Sequence, residues 1–201
     1  MSSKNGVELK LNFIGTVGSG KTSILNRYVH SFFMNDYHNT LGAALNVKTI
    51  QLDKTRVRLQ IWDIGGQDRF QSLMSGFYKG SDGCFLVYDV TNRETFECLE
   101  KLRNDFLDKV HTSAEDFPMI ILGNKIDLAD REVSKKSADD WCSQRSIPYF
   151  EVSAKLDINV DLAFETLARK AYQHYQEVRE SYLTDSFKLT PIEDDYRRRC
   201  C

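Results

Sequence analysis

The chain has 201 residues, enough for one full α/β domain with its own core. Its 27 Lys and Arg nearly balance its 29 Asp and Glu, for a formal net charge of −2, which argues against nucleic acid as a partner. No segment approaches the ~20 apolar residues of a membrane span, and residues 1–6 are polar rather than a secretory leader. The expectation is a cytosolic chain, unless something other than a helix ties it to a membrane. Of the five cysteines none shows C-x-x-C spacing, and Cys84, Cys98 and Cys142 fall in apolar or helical stretches as reduced packing residues.

Residues 7–15 read as a strand with Val7, Leu9, Leu11 and Phe13 on one face. Gly15-Thr16-Val17-Gly18-Ser19-Gly20-Lys21-Thr22 then fits the G-x-x-x-x-G-K-[ST] phosphate loop. Residues 22–30 read as an amphipathic helix carrying Ile24, Leu25, Tyr28 and Val29. Strand, glycine loop and helix together are the setting that turns this pattern into a site. The glycines let backbone N–H groups converge on phosphate oxygens, and the helix N-terminus adds positive potential. Lys21 then reaches the terminal phosphates, and the Thr22 hydroxyl ligates magnesium.

Residues 45–52 and 57–64 read as two strands joined by the turn Asp53-Lys54-Thr55, hence an antiparallel hairpin. Asp63-Ile64-Gly65-Gly66-Gln67 closes the second of them. Alone, D-x-x-G is an ordinary strand-ending turn. After a phosphate loop it gains meaning: Asp63 can hold magnesium through water, Gly66 can offer its N–H to a γ-phosphate, and Gln67 can orient an attacking water.

A helix over 69–79 leads to the nearly all-apolar strand 83–89, then a helix over 93–110 and a second apolar strand over 119–123, both reading as buried on two faces. Asn124-Lys125-Ile126-Asp127 follows. A carboxylate here can accept from the N1–H and exocyclic amine of guanine, a donor pair that adenine lacks, while the Lys125 stem lies over one face of the base. A helix over 135–145, a short strand over 149–152 and a helix over 160–182 complete the pattern. Ser153-Ala154-Lys155, at the end of the last strand, can meet the guanine O6 with backbone N–H groups. Such alternation predicts a mostly parallel sheet with helices on both faces and ligands at the strands' C-terminal ends. Apolar periodicity fades near Val178, dividing a domain over 1–177 from a polar tail over 178–201.

From roughly Leu9 to Tyr175 the chain resembles the Ras-like small GTPases, and within them the Rab proteins of vesicle traffic. The segments Trp62-Asp63-Ile64-Gly65-Gly66-Gln67-Asp68-Arg69-Phe70, Phe77-Tyr78-Lys79-Gly80 and Phe85-Leu86-Val87-Tyr88-Asp89-Val90-Thr91 carry that resemblance. Thr40-Leu41-Gly42-Ala43, Asn124-Lys125-Ile126-Asp127-Leu128 and Ile147-Pro148-Tyr149-Phe150-Glu151 are similar to its late-endosomal, Rab-seven-like branch. The resemblance implies a P-loop NTPase G domain: a six-stranded, mostly parallel sheet with one antiparallel edge strand and helices on both faces. It implies binding of GTP, GDP and Mg2+, and slow hydrolysis that needs an activating protein. It also implies effectors, an exchange factor, an escort protein, a dissociation inhibitor and a monomeric G domain.

Residue by residue, the resemblance extends the nucleotide set to Gly15, Val17, Gly18, Ser19, Gly20, Lys21, Thr22 and Ser23 in the phosphate loop. Lys21 and Gln67 are the implied catalytic residues, and Thr22, Thr40 and Asp63 the implied magnesium set. Thr40 aligns with the switch threonine that binds magnesium only when the γ-phosphate is present. Phe33 aligns with the aromatic covering the guanine edge, and Tyr37 with the switch tyrosine near the phosphates. Leu45, Trp62 and Phe77 occupy the positions of the effector-binding aromatic triad, with Leu45 where the family has phenylalanine.

The chain ends Arg197-Arg198-Arg199-Cys200-Cys201. A C-a-a-X box would need a cysteine at position 198, so that motif is absent. The paired cysteines look like the Rab pattern in which both are geranylgeranylated, giving the two chains that stable anchoring takes. The arginines could add attraction to anionic lipid, although Glu193-Asp194-Asp195 largely cancels them. The implied location is the cytoplasmic face of late endosomes or lysosomes, with a cytosolic pool.

Besides Leu45, four positions depart from the family pattern, among them Asp68 where glutamate is common. Val17 is β-branched where Gly, Ser or Ala is usual and crowds the approach to the transferring phosphate. Ile64 and Gly65 stand where Thr and Ala are usual, and Gly65 is expected to loosen the second switch. A metabolic phosphoryl-transfer enzyme would need a second-substrate pocket or lid, and no insertion is long enough to build one. A GTP-binding scaffold with very slow hydrolysis uses the same residues, and Val17 is the feature that favours it.

Overall fold

A computed structural model describes residues 6–34, 40–66, 76–110 and 117–186, the side chains of 182–186 excepted. Strands β1 (Val7–Ile14), β2 (Ala43–Leu52), β3 (Thr55–Ile64), β4 (Gly83–Asp89), β5 (Met119–Asn124) and β6 (Tyr149–Glu151) alternate with helices after the initial hairpin. The helices are α1 (Lys21–His30), α2 (Arg93–Glu97), α3 (Leu99–Val110), α4 (Lys135–Ser143) and α5 (Val160–Ser186). They flank one six-stranded sheet of order β2-β3-β1-β4-β5-β6. All neighbours run parallel except β2, which pairs antiparallel with β3 and forms the edge. This is the sheet the strand–helix alternation predicted.

Side-chain alternation builds two cores. Leu9, Leu11 and Phe13 point from β1 to one face, with Val57, Leu59 and Ile61 from β3 and Phe85 and Val87 from β4. Ile24, Leu25 and Tyr28 of α1 and Val160, Ala163, Phe164 and Leu167 of α5 cover that face. On the other face Cys84, Leu86, Tyr88 and Ile121 meet Leu99, Phe106 and Leu107 of α3 and Ala138 and Cys142 of α4. Every residue of β4 and β5 is buried, which is why their sequences show no polar alternation. Among the described residues, Cys84, Cys98 and Cys142 are free thiols, the first and last of them buried.

The expected helix over 93–110 is broken at Cys98, but Cys98 N–H donates to Glu94 O and Leu102 N–H to Cys98 O, so the ladder continues through the irregularity. Of the expected helix over 69–79, residues 76–78 are helical and residues 69–75 lie outside the described residues. Helix α5 passes through Val178 to Ser186, with its side chains exposed from Gln176 to Ser181. Fading periodicity therefore marks where α5 leaves the core rather than where the helix stops. No described helix is long and apolar enough to cross a membrane.

Candidate functional site

Four connections gather at the C-terminal ends of the parallel strands: those leaving β1, β3, β5 and β6. The β1 connection enters α1 through Gly20, in the left-handed region at φ 90°, and no side chain caps the helix. By contrast, Asn92 caps α2 through Glu94 N–H at 3.0 Å, and Ser134 caps α4 through Ser137 N–H at 3.1 Å. The first N–H groups of α1 are thus left open toward the loop, where they can receive an anion. Gly20 is required here twice over, since a Cβ would also collide with the Asn124 amide.

Lys21, the first helical residue, is 6% exposed and folds back over the loop, donating to Gly15 O and Thr16 O at 2.9 Å each. Burial pushes its ammonium down to about 8, partly offset by the Asp63 carboxylate. Val17 lies at the loop tip, 43% exposed, and Ser23 in the first turn of α1.

Thr22 and Asp63 meet across the sheet: the Thr22 hydroxyl donates to Asp63 Oδ2 at 2.5 Å. Thr40 completes the group, with its Oγ1 at 2.8 Å from Thr22 Oγ1 and 3.4 Å from Asp63 Oδ2. Asp63 is buried, its desolvation raises its pKa, and its Oδ1 has no partner. Among the described residues there is no cluster of three or more His, Cys, Asp or Glu side chains. What converges here is one carboxylate and two hydroxyls, with a buried carboxylate oxygen unmet. That all-oxygen, low-charge set fits magnesium, which keeps several waters and takes few protein ligands.

The segment after Thr40 is fastened to the end of β3. Gly65 N–H donates to Gly42 O at 2.8 Å. A Cβ on Gly65 would fall 2.5 Å from Thr40 O and 3.0 Å from Gly42 O. Gly65 was expected to add freedom, but its missing side chain also permits this close approach, which brings Thr40 to Thr22 and Asp63. Gly66 in turn lies against the phosphate loop, where a Cβ would be 2.5 Å from Val17 N.

At the other end of the site, Asn124 is buried and serves the protein rather than open space. Its Nδ2 donates to Ser19 O at 3.0 Å, and its Oδ1 accepts from Ala154 N–H at 3.4 Å. Lys125, at φ 68°, pairs with Asp89 Oδ2 at 2.5 Å, so its stem is held in one direction. Asp89 was not singled out from the sequence; the only sign was an acidic residue ending an apolar strand. Asp127, half-buried, accepts from the Ser153 hydroxyl at 2.6 Å, and that hydroxyl accepts from Leu156 N–H at 3.0 Å. Ala154 is buried and Lys155 exposed.

Phe33 is half-buried and packs against the core at the end of α1. Leu45, 48% exposed, pairs in register with Trp62, whose ring lies 5.2 Å from that of Phe77. The three residues thus share one face beside the β2 edge. Gln67, Tyr37, Cys200 and Cys201 lie outside the described residues.

The Gly65 contact generates a direct test. Gly65→Ala is expected to push residues 40–42 away and break the bond to Gly42 O. Hydrogen exchange at the position 65 amide should then speed up by about 10-fold; unchanged protection would show that the segment accommodates a Cβ.

The Ras family profile matches residues 10–173. The chain is 55% identical to Ras-related protein Rab-7b of Bos taurus and 53% identical to that of Homo sapiens, in each case over 201 residues and the whole of both chains. It is 43% identical to the GTP-binding protein yptV5 of Volvox carteri over 206 aligned positions, again covering both chains completely. The chain belongs to the Ras family, and within it is a Rab7-like small GTPase.

Proposed function

We propose that this chain is a prenylated Rab-type switch that alternates between GDP and GTP forms and, when bound to GTP, recruits effectors to late endosomal or lysosomal membranes. Ras-family proteins bind guanine nucleotide and are GTPases. The observation that carries the reading here is the meeting of Thr22, Thr40 and Asp63 beside the buried Lys21. Thr40 and Asp63 come from the two connections that must respond to a γ-phosphate, and both already touch Thr22 in the first turn of α1.

In this reading the N–H groups of Val17, Gly18, Ser19, Gly20, Lys21 and Thr22 cradle the phosphates. Lys21 exchanges its two loop carbonyls for phosphate oxygens, whose negative charge favours its ammonium form. Thr22, Thr40 and Asp63 would hold magnesium, which supplies neutralisation of charge on the β- and γ-phosphate oxygens. Thr40 and Gly66 are held together while the γ-phosphate is present and part when it leaves, which is the switch. Gln67 orients the attacking water, and Tyr37 lies near the phosphates. Asp127 reads the guanine N1–H and exocyclic amine, held by the Ser153 hydroxyl. Lys125, steered by Asp89, lies over the base, Phe33 covers its edge, and the backbone of Ser153, Ala154 and Lys155 meets O6.

The domain over 1–177 is the G domain and is monomeric. The tail over 178–201 carries two geranylgeranyl groups on Cys200 and Cys201. An escort protein, a dissociation inhibitor, an exchange factor and an activating protein serve the cycle. Effectors dock on the face shared by Leu45, Trp62 and Phe77, where Val47, two residues along β2 from Leu45, adds exposed apolar surface at 40%. Nucleic acid has no part in the cycle.

Base selectivity tests the reading most directly. Asp127→Asn is expected to weaken GTP binding by orders of magnitude and to favour xanthine nucleotide, whose exocyclic oxygen accepts from the new amide. Equal GTP affinity in both proteins would remove the assignment. Hydrolysis is slow because Val17, whose backbone lies against Gly66, narrows the space beside Gln67. Val17→Gly is expected to speed single-turnover hydrolysis by roughly 3–30-fold without changing GTP affinity; a wild-type rate would discount the crowding. Replacing Cys200 and Cys201 together by Ser should leave a fully cytosolic protein that still binds GTP. Pelleting of that double variant with membranes would reveal a different anchor.

A further inference from the structure

Arg27 lies in the last turn of α1, away from the phosphate loop, and among the described residues its hydrogen bonds go to backbone carbonyls. Its Nε donates to Ala154 O at 2.9 Å and its Nη2 to Lys155 O at 3.1 Å. The guanidinium thus grips two successive carbonyls with one planar fork, a geometry that lysine cannot reproduce. Its third bond, Nη1 to Ser31 O at 3.1 Å, reaches the left-handed cap residue of its own helix, whose N–H donates back to Arg27 O at 3.0 Å. Ser31 is followed by Phe32 and Phe33. One side chain therefore ties the loop after β6 to the exit of α1.

A trans peptide points its C=O and N–H in opposite directions. Drawing the Ala154 carbonyl toward Arg27 aims the Lys155 N–H the other way, and drawing the Lys155 carbonyl there aims the Leu156 N–H at Ser153 Oγ, where it is found at 3.0 Å. Among the described residues the Lys155 N–H has no hydrogen-bond partner. On the far side of the same loop, Ala154 N–H meets Asn124.

We infer that Arg27 is a positioning residue for base recognition: it sets the direction of the Lys155 N–H toward the base O6, and so sets how long the nucleotide stays bound. The inference rests on the guanine reading above. It predicts that base affinity is lost when Arg27 is lost, with phosphate chemistry untouched, because its fork acts only on the far wall of the site.

The test compares wild type with Arg27→Ala and Arg27→Lys in three measurements: release of fluorescent GDP, single-turnover hydrolysis of preloaded GTP, and preference for GDP over the 2-aminopurine riboside diphosphate, which lacks O6 and the N1–H, the latter loss being common to all three proteins. Arg27→Ala should release GDP about 10-fold faster, the scale of one or two lost backbone contacts, with Arg27→Lys in between and the hydrolysis rate unchanged. Preference for GDP over the O6-lacking analogue should shrink by a similar factor. Unchanged GDP release overturns the inference, as does equal acceleration for both nucleotides, which is the mark of general loosening. Should Arg27→Ala fail to fold, Arg27→Lys alone decides by the same comparison. Failure of the wild-type protein to retain GDP overturns the guanine reading itself, and this inference with it.

Discussion

Lys21 and Asp63 place opposite charges in the interior of the site, and the rest of the arrangement follows from their shared discomfort. Burial pushes the Lys21 ammonium from its ordinary value of 10.5 down to about 8, a difference of about 3 kcal/mol for a group that is 6% exposed. Asp63 is raised by the same desolvation and leaves Oδ1 unpaired. An unsatisfied buried acceptor costs about 1–3 kcal/mol. The two groups offset each other in part, while two carbonyls accept from Lys21 and two hydroxyls bond to Asp63. An anion at Lys21 and a hard cation at Asp63 would relieve both at once. The site holds its binding energy as charge that the protein alone does not fully satisfy.

Around this centre lies a layer of residues that bind the loops to one another. Asn124 joins the phosphate loop to the loop after β6, Asp89 holds Lys125, Ser153 holds Asp127, and Arg27 draws the carbonyls after Ala154 outward. Each of these contacts spans sequence-distant segments, so a parallel sheet that brings the strand ends together is their precondition. They fasten the loops leaving β1, β5 and β6 to one another, the kind of preorganisation that would let a few hydrogen bonds distinguish one base from another.

One junction in the described site is the place where the proposed switch would act. Thr40 reaches Thr22 and Asp63 through a segment fastened by a single backbone bond, Gly65 N–H to Gly42 O. Because no Cβ intervenes at Gly65, the two connections approach closely. The same absence would leave the backbone freer if they parted. A replacement that looked at first like simple loosening is thus also a device for tight closure.

Much was legible in the chain itself. Strand and helix order followed from hydrophobic period, since β4 and β5 are buried on both faces and β1 alternates. The phosphate loop, Asp63, Asn124, Lys125 and Asp127 could be picked out as candidates because the chemistry proposed for them lies in short contiguous spacings. What contiguous spacing cannot encode is which side chain answers which across the sheet. That Asn124 staples loops, that Asp89 steers Lys125, that Arg27 grips Ala154 and Lys155, and that Gly65 is needed for contact as well as freedom became visible only in three dimensions. The physical reason is common to all four. A hydrogen bond or a close approach between residues far apart in the chain depends on strand order and register, and those are set by the packing of the whole sheet between its two helical layers.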